Sequence, residues 1–578
     1  MGPRGSQPTA ACTAARRKPA LINVDCRSWF SLRRGPMKVG ILEILGLPAR
    51  YPTDLAYRLV MRKQYASVTP QAVSVWCRQL GHETFYAPYY GLGDPGGQFP
   101  TDLDIVFIAS YTQDSALAYA LAKKYRRAGV RTVIGGPHAK AFPVDCLRFF
   151  DLAVKECDKS LIADILAGHF DPGSVISSAK PFEDLPTVQE RLPEIRKSAF
   201  LWSRRRYFMT TVPMLSSMGC PYSCDFCIDW DNPYRLLPLD RLATDLRFLS
   251  TNLPGVLVGF HDPNFGVKFD QVLDVLETVP PDLRNPYMIE SSLSVLRGPR
   301  VKRLRETNCV AVAPGVESWA DYSDKAGVGR ETGIEKLDRV AEHFRHLHEN
   351  IPYLQANFIF GLDTDEGDEP IELTKEFMTR TPFAWPALNI PVPYGGTPLY
   401  EQLGEEGRIL TSMPFSFYYA PYLVMTLKNY DSVTYYEKLI ELLGHSSSRQ
   451  MLNHRMKSTT RGTVKIIHWT RTVSTRAWIK AYRNILRMLR SDREFRTFHE
   501  GRSQVLPEFY HRMYERTLGT YAELMSRRDR MPNLEHAVPA MSGTPTADST
   551  AEPPTNSYIR DKGQPRRTPP EERTTWPS

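Results

Sequence analysis

The sequence lacks any apolar run approaching the ~18–20 residues of a membrane span. It also lacks a cysteine set fit for a disulfide framework. Nine cysteines cannot all pair, and three of them crowd into one eight-residue window. A reducing, cytoplasmic environment and no membrane partner are the expectations. Internal repeats are absent. The 578 residues are 42% hydrophobic and 24% charged, which excludes whole-chain disorder, a collagen-like fibre and a small disulfide scaffold. That composition supports two or three domains with full cores, at roughly 100–200 residues each.

An even spread of positive charge is missing too. Residues 1–36 hold seven Lys/Arg and one acid, and residues 445–531 hold nineteen bases and seven acids. The formal net charge is only +9, so the stretch 37–444 is net acidic. A uniform nucleic-acid-binding surface is therefore not expected. Basic function, if any, belongs near the C-terminus, where Arg alternates with Trp469, Trp478, Tyr482 and Phe495. Such a segment reads as a helical cap with a solvated face, with docking of an acidic partner as the alternative.

Hydrophobic patterning divides what remains. Residues 1–36 read as a disordered leader, with Met37 as a possible true start. Residues 37–180 alternate strands (37–43, 83–87, 104–109, 131–134, 151–155) with helical patterns (70–80, 114–128, 142–149). This predicts an α/β domain with a Rossmann-like, doubly wound parallel sheet. Ligands of such sheets sit at the C-terminal strand ends, which here carry Ser110-Tyr111-Thr112 and Gly135-Gly136-Pro137-His138. A linker, 181–211, leads to six further βα units with strands at 212–218, 255–261, 286–291, 309–314, 354–360 and 386–392. These predict a partial (β/α)6 barrel over 212–431. A basic helical region follows over 432–531, and the Pro/Thr/Ser-rich tail 532–578 reads as disordered.

The strongest signal is MGCPYSCDFCIDW, which spaces Cys220, Cys224 and Cys227 as C-x3-C-x2-C. Thiolates are soft ligands suited to iron–sulfur clusters or zinc. A structural zinc site wants a fourth Cys or His nearby, and none lies within thirty residues. Three cysteines can hold three irons of a 4Fe–4S cluster and leave the fourth open. The triplet also follows the first barrel strand, on the face where barrel active sites sit.

This pattern, with the aromatic Phe226 directly before the third cysteine, resembles the radical S-adenosylmethionine (SAM) superfamily over about residues 212–400. The resemblance implies a 4Fe–4S cluster whose open iron chelates SAM. Reductive cleavage of SAM to a 5′-deoxyadenosyl radical would follow, fed by a flavodoxin or ferredoxin-type donor. It also implies SAM contacts by Phe226, Asp262, Glu317 and Ser318. Gly315-Val316-Glu317-Ser318 looks like the family's G-x-E-S element, and Gly396-Thr397-Pro398-Leu399 like its G-T-P-L. Asp262 and Phe265 look like the acidic residue and Phe of members that carry an N-terminal cobalamin-type domain.

The first domain strengthens that likeness. DIVFIASYT and VIGGPHAKAFPVDCL resemble the cobalamin-bordering segments of cobalamin-dependent radical SAM enzymes. The implied contacts are Ser110, Thr112, Gly135, Gly136 and His138; small residues let a bulky ligand approach the backbone. The D-x-H-x-x-G motif of other cobalamin proteins is absent. The resemblance implies methyl transfer to an unactivated carbon, or to phosphorus, of a small-molecule or peptide substrate. Alternatives are a radical oxidation, cyclisation or rearrangement with a vestigial first domain, and a non-enzymatic iron–sulfur electron carrier or sensor. No catalytic base is identified; Tyr222, Asp229, His261 and Tyr394 only fall near the expected mouth. Gly91-x-Gly93-x-x-Gly96 is set aside as a dinucleotide fingerprint, because Pro95 interrupts it and no helix follows. The acidic loop 363–369 reads as surface, and Cys77 and Cys309 as buried thiols.

Overall fold

A computed structural model describes residues 35–48, 66–208, 210–322, 324–328, 330–534 and 540–541. The expected leader and most of the expected tail lie outside these residues. The first domain alternates β1 (Lys38–Ile44), α1 (Val68–Gln79), β2 (Glu83–Tyr89), β3 (Ile105–Ser110), α2 (Ser115–Arg127) and β4 (Arg131–Gly135). It continues through α3 (Pro137–Ala141), α4 (Pro143–Cys146), β5 (Leu152–Val154), α5 (Lys159–Ala167) and β6 (Ser174–Ser177). The run KVGILEI of β1 is buried at all but its first residue, as a central parallel strand covered on both faces must be. Helix α5 shows how local chemistry sets the ends. The Asp158 carboxylate accepts from the Leu161 amide at 2.7 Å, and Gly168 closes the helix in the left-handed region.

The strands lie in the order β15-β6-β5-β4-β3-β1-β2, all parallel, where β15 is Ala540–Met541. The chain reverses direction across the sheet at β1 and β3, which pair from Val39↔Ile105 to Ile44↔Ser110. In open α/β sheets that switch point is where a crevice opens beyond the carboxyl ends.

Helix α6 (Leu192–Ala199) occupies the expected linker. Its neighbour Arg191 is fully buried and bonds Gln71 of the first domain and the Pro213 carbonyl of the second. The second domain starts with β7 (Thr211–Met214) and a two-residue ladder of β8 (Ser217–Met218) and β9 (Arg235–Leu236). It then runs α7 (Leu239–Asn252), β10 (Leu257–Phe260), α8 (Phe269–Glu277), β11 (Tyr287–Ser292), α9 (Pro299–Glu306) and β12 (Cys309–Glu317). The last units are α10 (Gly333–His348), β13 (Tyr353–Ile359), α11 (Glu369–Arg380), β14 (Ala384–Asn389) and α12 (Pro398–Glu405). The six long strands pair in parallel as β14-β13-β12-β11-β10-β7, without closure between β14 and β7. This is the expected open barrel. The sixth strand begins two residues earlier than its sequence pattern and ends at Asn389. Pro391 and Pro393 follow, and neither can donate to a ladder.

The basic region forms α13 (Ser432–Ser446), α14 (Arg449–Ser458), α15 (Gly462–Ser491), α16 (Arg493–His499) and α17 (Glu508–Leu518). The chain beyond α17 returns to the first domain. Asp529 pairs with Lys123 at 2.7 Å, and the Asn533 amide reaches Asp145 at 2.6 Å. The Leu534 carbonyl accepts from Tyr400 at 3.0 Å. The start of the expected disordered tail is thus packed structure through Leu534, and Ala540–Met541 adds the edge strand β15, because these contacts dock it against the two domains.

Candidate cofactor and active site

The three cysteines sit on the loop between β8 and β9, and every side of that loop is tied down. The Cys220 amide donates to the Asn232 carbonyl at 3.1 Å, and Cys227 to Cys224 at 3.1 Å. Tyr322 donates to Asp225 at 2.6 Å, and Tyr222 bonds Ser294 beyond β11. The Gly396-Thr397-Pro398-Leu399 segment is the start of α12. Thr397 caps it by accepting from the Tyr400 amide, and Pro398 fills the first turn. That start grips the cysteine loop from outside: Trp230 donates to the Gly396 carbonyl at 2.7 Å, and the Leu399 amide to the Asp225 carbonyl at 3.0 Å.

The cysteines are free thiols; Cys224 feels the charge of Cys227 and Cys220, and Cys227 that of Cys220. Burial pushes the Cys224 thiol up to about 12, with the Lys325 ammonium opposing. Burial pulls Lys325 down, but Cys224, Glu317, Cys227 and Cys220 outweigh it and hold the ammonium charged. Lys325 also lies 5.9 Å from the centre of the Phe226 ring, which stacks on Tyr322. Among the described residues no three His, Cys, Asp or Glu gather tightly enough for a single ion. A cuboidal cluster asks less of its ligands, since it spaces them across its own edges. Three soft thiols around one cationic side chain, with no fourth Cys or His close by in sequence, fit such a cluster with one open iron.

Two carboxylates complete this chamber. Glu317 sits at a register shift in β12 with φ of +65°, a conformation that side chains seldom adopt. Burial raises its carboxyl, against Lys325 and Lys336. Glu290 of β11 is reached by water, yet surrounding protein raises its carboxyl as well, with Lys325 opposing. The Glu290 charge is also felt by Tyr111 of the first domain. Sequence reasoning missed Lys325 and Glu290, because neither carries a motif.

Two expected SAM contacts are occupied otherwise. Asp262 accepts from the Ser216 amide at 3.0 Å and from the hydroxyls of Ser216 and Ser217 at 2.5 and 2.6 Å. It fixes the approach to the cysteines. Ser318 donates to Asp365 at 3.1 Å, and Asp365 also accepts from the Gly361 and Leu362 amides. The acidic loop therefore has one interior member, Asp365, while Asp363 pairs with Arg408, Asp368 pairs with Lys438, and Glu366 and Glu369 face water.

Between the domains lies a cavity of about 310 Å3, at the lower end of the usual range for small-molecule sites. Ser110, Gly135 and Gly136 of the first domain line it. Leu215, Asp229 and His261 face it from the barrel. A Cβ added at Gly135 would meet only the Val154 carbonyl oxygen, at 3.9 Å, an ordinary contact. Gly136 has φ of +89° and would crowd the Ser110 backbone at 3.2 Å. Bare backbone here is a cradle that fits a bulky ligand. Lys140 spans the two sides, 2.9 Å from Glu156 and 2.9 Å from Asp229, two residues past the last cysteine. Water reaches His261, yet surrounding protein and the Arg191 charge lower its imidazole to about 4.

Two expected cobalamin contacts do not line this cavity. Thr112 is buried in the turn after β3. His138 is fully buried behind the Gly-Gly turn, 2.6 Å from the Tyr119 hydroxyl, which donates in turn to Asp145. Its ring packs on Phe142 and Phe415, so it serves the junction between the first domain and the region beyond the barrel.

Glu43 is the unexpected member of the lining. It stands inside the apolar strand β1, accepting from Tyr86 at 2.8 Å and the Ser67 amide at 2.7 Å. Burial raises its carboxyl to about 7, against those hydrogen bonds. Above the unfolded value of 4.5 the unfolded chain releases this proton while the folded protein keeps it. Stability from this group therefore falls as pH rises between those two values, by on the order of 3 kcal/mol in all. In urea denaturation of the cofactor-free protein, Glu43→Gln should gain on the wild type from about pH 5 to about pH 8. A gap independent of pH would contradict the assignment.

Comparisons with known proteins agree with this geometry. Residues 214–377 match the family model described as the Radical SAM superfamily. Bacteriochlorophyllide d C-8(2)-methyltransferase of Chlorobaculum tepidum is 25% identical over 59% of this chain and 77% of its own. Bacteriochlorophyllide d C-12(1)-methyltransferase of the same organism is 23% identical over 54% and 69%. Among solved structures, the radical S-adenosylmethionine methyltransferase TsrM of Kitasatospora setae, with cobalamin and a 4Fe–4S cluster bound, aligns at TM-score 0.45. That alignment has 13% identity and covers 64% of this chain and 78% of the other. Residues 214–377, the barrel segment that presents the three cysteines, are thus a radical SAM domain.

Proposed function

We propose that this chain is a cobalamin-dependent radical SAM methyltransferase acting on an unactivated carbon of a small-molecule or peptide substrate. The observation that carries the reading is the shared cavity. Its walls come from the switch point of one sheet and from the cysteine-bearing end of the other. The names of the two Chlorobaculum relatives, each a methylation at a numbered carbon of a bacteriochlorophyllide, favour carbon over phosphorus.

When bound, the cluster and SAM supply a 5′-deoxyadenosyl radical, and cobalamin supplies a methyl carrier. Cys220, Cys224 and Cys227 would hold the cluster. Phe226 and Tyr322 form an aromatic wall beside it, with Lys325 as a fixed positive charge. Glu317 is the carboxylate best placed for polar groups of SAM, while Asp262 and Ser318 position the loops around it. Ser110, Gly135 and Gly136 would border cobalamin. His261 lines the space between and can accept a hydrogen bond from a substrate, and the Glu290 charge reaches Tyr111 on the opposite wall. Lys140 holds the two cofactor walls together. Electrons would come from an acidic flavodoxin or ferredoxin-type donor.

Gly135→Leu tests the cobalamin half. The position has room and no strained φ, so the variant should fold and keep its iron. After reconstitution with hydroxocobalamin and desalting, the wild type should retain about one equivalent by its visible spectrum. The variant should retain less than about a tenth of that, because its side chain fills the cradle. Deoxyadenosine formation should persist in both. Equal retention in both proteins would move cobalamin out of this cavity. No retention in either would leave a radical SAM enzyme without it.

A further inference from the structure

Helix α15, Gly462–Ser491, carries the highest positive charge of the described helices. Its 30 residues carry seven Lys or Arg and no Asp or Glu. At 1.5 Å per residue it is about 45 Å long. One side packs inward through Val464, His468, Ile479, Tyr482, Ile485 and Leu489. The opposite side forms a stripe at three- and four-residue spacing, all of it exposed. Its first part is apolar: Ile466 is 61% exposed, Trp469 56% and Val473 44%. The stripe then continues as Arg476, Lys480, Arg483 and Arg487. Among the described residues none of these four forms an ion pair with a carboxylate. Arg490, one step further, is held by Glu437.

We infer that this stripe docks on the surface of a bilayer containing anionic lipid. Ile466, Trp469 and Val473 enter the boundary between headgroups and acyl chains, and the four cations meet the headgroups. The sequence excludes a spanning segment, and no described helix is long and apolar enough to cross a membrane. Lying on a surface is a different demand, met by an amphipathic stripe. An acidic electron donor fits less well. It must approach the cysteine loop, at the C-terminal strand ends. The apolar part of α15 lies at the other end, where His468 faces Tyr353, the first residue of β13, at 5.8 Å. A nucleic acid could stack on Trp469 but would leave Ile466 and Val473 in water.

The test is flotation of the full-length protein with vesicles. One set is phosphatidylcholine with about 30 mol% phosphatidylglycerol; the other is phosphatidylcholine alone. Binding to the mixed vesicles should be at least about tenfold stronger, and should drop on raising NaCl from about 0.1 M to about 0.5 M. Ile466→Ser with Trp469→Ser, and separately Lys480→Gln with Arg483→Gln and Arg487→Gln, should each weaken it about tenfold. Both variants alter only exposed positions, so their circular dichroism and melting should match the wild type. Equal binding to both vesicle types, or variants that bind like the wild type, would overturn the inference. So would failure to bind vesicles together with a solution dimer that the first variant dissolves, which would assign the stripe to a second copy.

Discussion

Replacing any one of Cys220, Cys224 or Cys227 by Ala should lower deoxyadenosine formation by more than about a hundredfold. Loss of an outer partner to a metal ligand typically costs 10–100-fold, and loss of a ligand exceeds that. The loop has a separate anchor beside each cysteine that does not use its sulfur. The Cys220 amide is held by the Asn232 carbonyl, Asp225 next to Cys224 by Tyr322, and Asp229, two residues past Cys227, by Lys140. The loop should therefore keep its shape when one sulfur is removed. Iron bound after anaerobic reconstitution should fall with activity, while the melting temperature of the cofactor-free protein should change little. A control separates these cysteines from the rest. Cys309 is buried at the start of β12, bonded toward the Ala311 carbonyl. Cys309→Ala should leave iron and SAM cleavage unchanged. Full activity in any of the three triplet variants would remove the cysteine loop from the chemistry.

The second large effect is expected from Gly219→Ala, one residue before the first cysteine. Gly219 has φ of +67°, and an added Cβ would fall 2.3 Å from the Pro233 carbonyl oxygen and 2.6 Å from that of Asn232. Both are backbone atoms and cannot swing away. Asn232 is also the residue whose carbonyl holds the Cys220 amide. The substitution must therefore open the loop where it closes on itself, at a cost of roughly 1–3 kcal/mol for the strained conformation and more for the clash. Iron uptake should drop at least about tenfold, since 1.4 kcal/mol is already a factor of ten. Gly255→Ala makes the comparison. It too has positive φ, +72°, but its Cβ would meet nothing within 4 Å. It should lose some stability and keep its iron. If both variants load iron alike, the loop is not closed at Gly219 as described.

What the sequence made legible follows from how local each signal is. The cysteine triplet needs three thiols in one short window, so its spacing speaks without the fold. The parallel sheets were readable because βα alternation is periodic, and β1 is apolar at nearly every position. Glu43 was not singled out in the sequence, because only its burial between Tyr86 and Ser67 gives it meaning. Lys325 and Glu290 were not readable. They come from different barrel units and meet only when the strands line up. His138 shows the opposite failure. The Gly-Gly-Pro-His turn does face the cavity through its glycines, but the ring turns inward to Tyr119. Asp262 and the Gly-Thr-Pro-Leu segment likewise hold the cysteine loop in place, a role that a motif cannot distinguish from contact with a ligand.

The most direct single measurement uses the protein reconstituted with iron, sulfide and cobalamin. It is given SAM carrying a deuterated methyl group and a low-potential reductant, and the products are read by mass spectrometry. The expected result is 5′-deoxyadenosine, S-adenosylhomocysteine and about one equivalent of labelled methyl on protein-bound cobalamin. Deoxyadenosine with no homocysteine product and no label on cobalamin would contradict methyl transfer through the shared cavity.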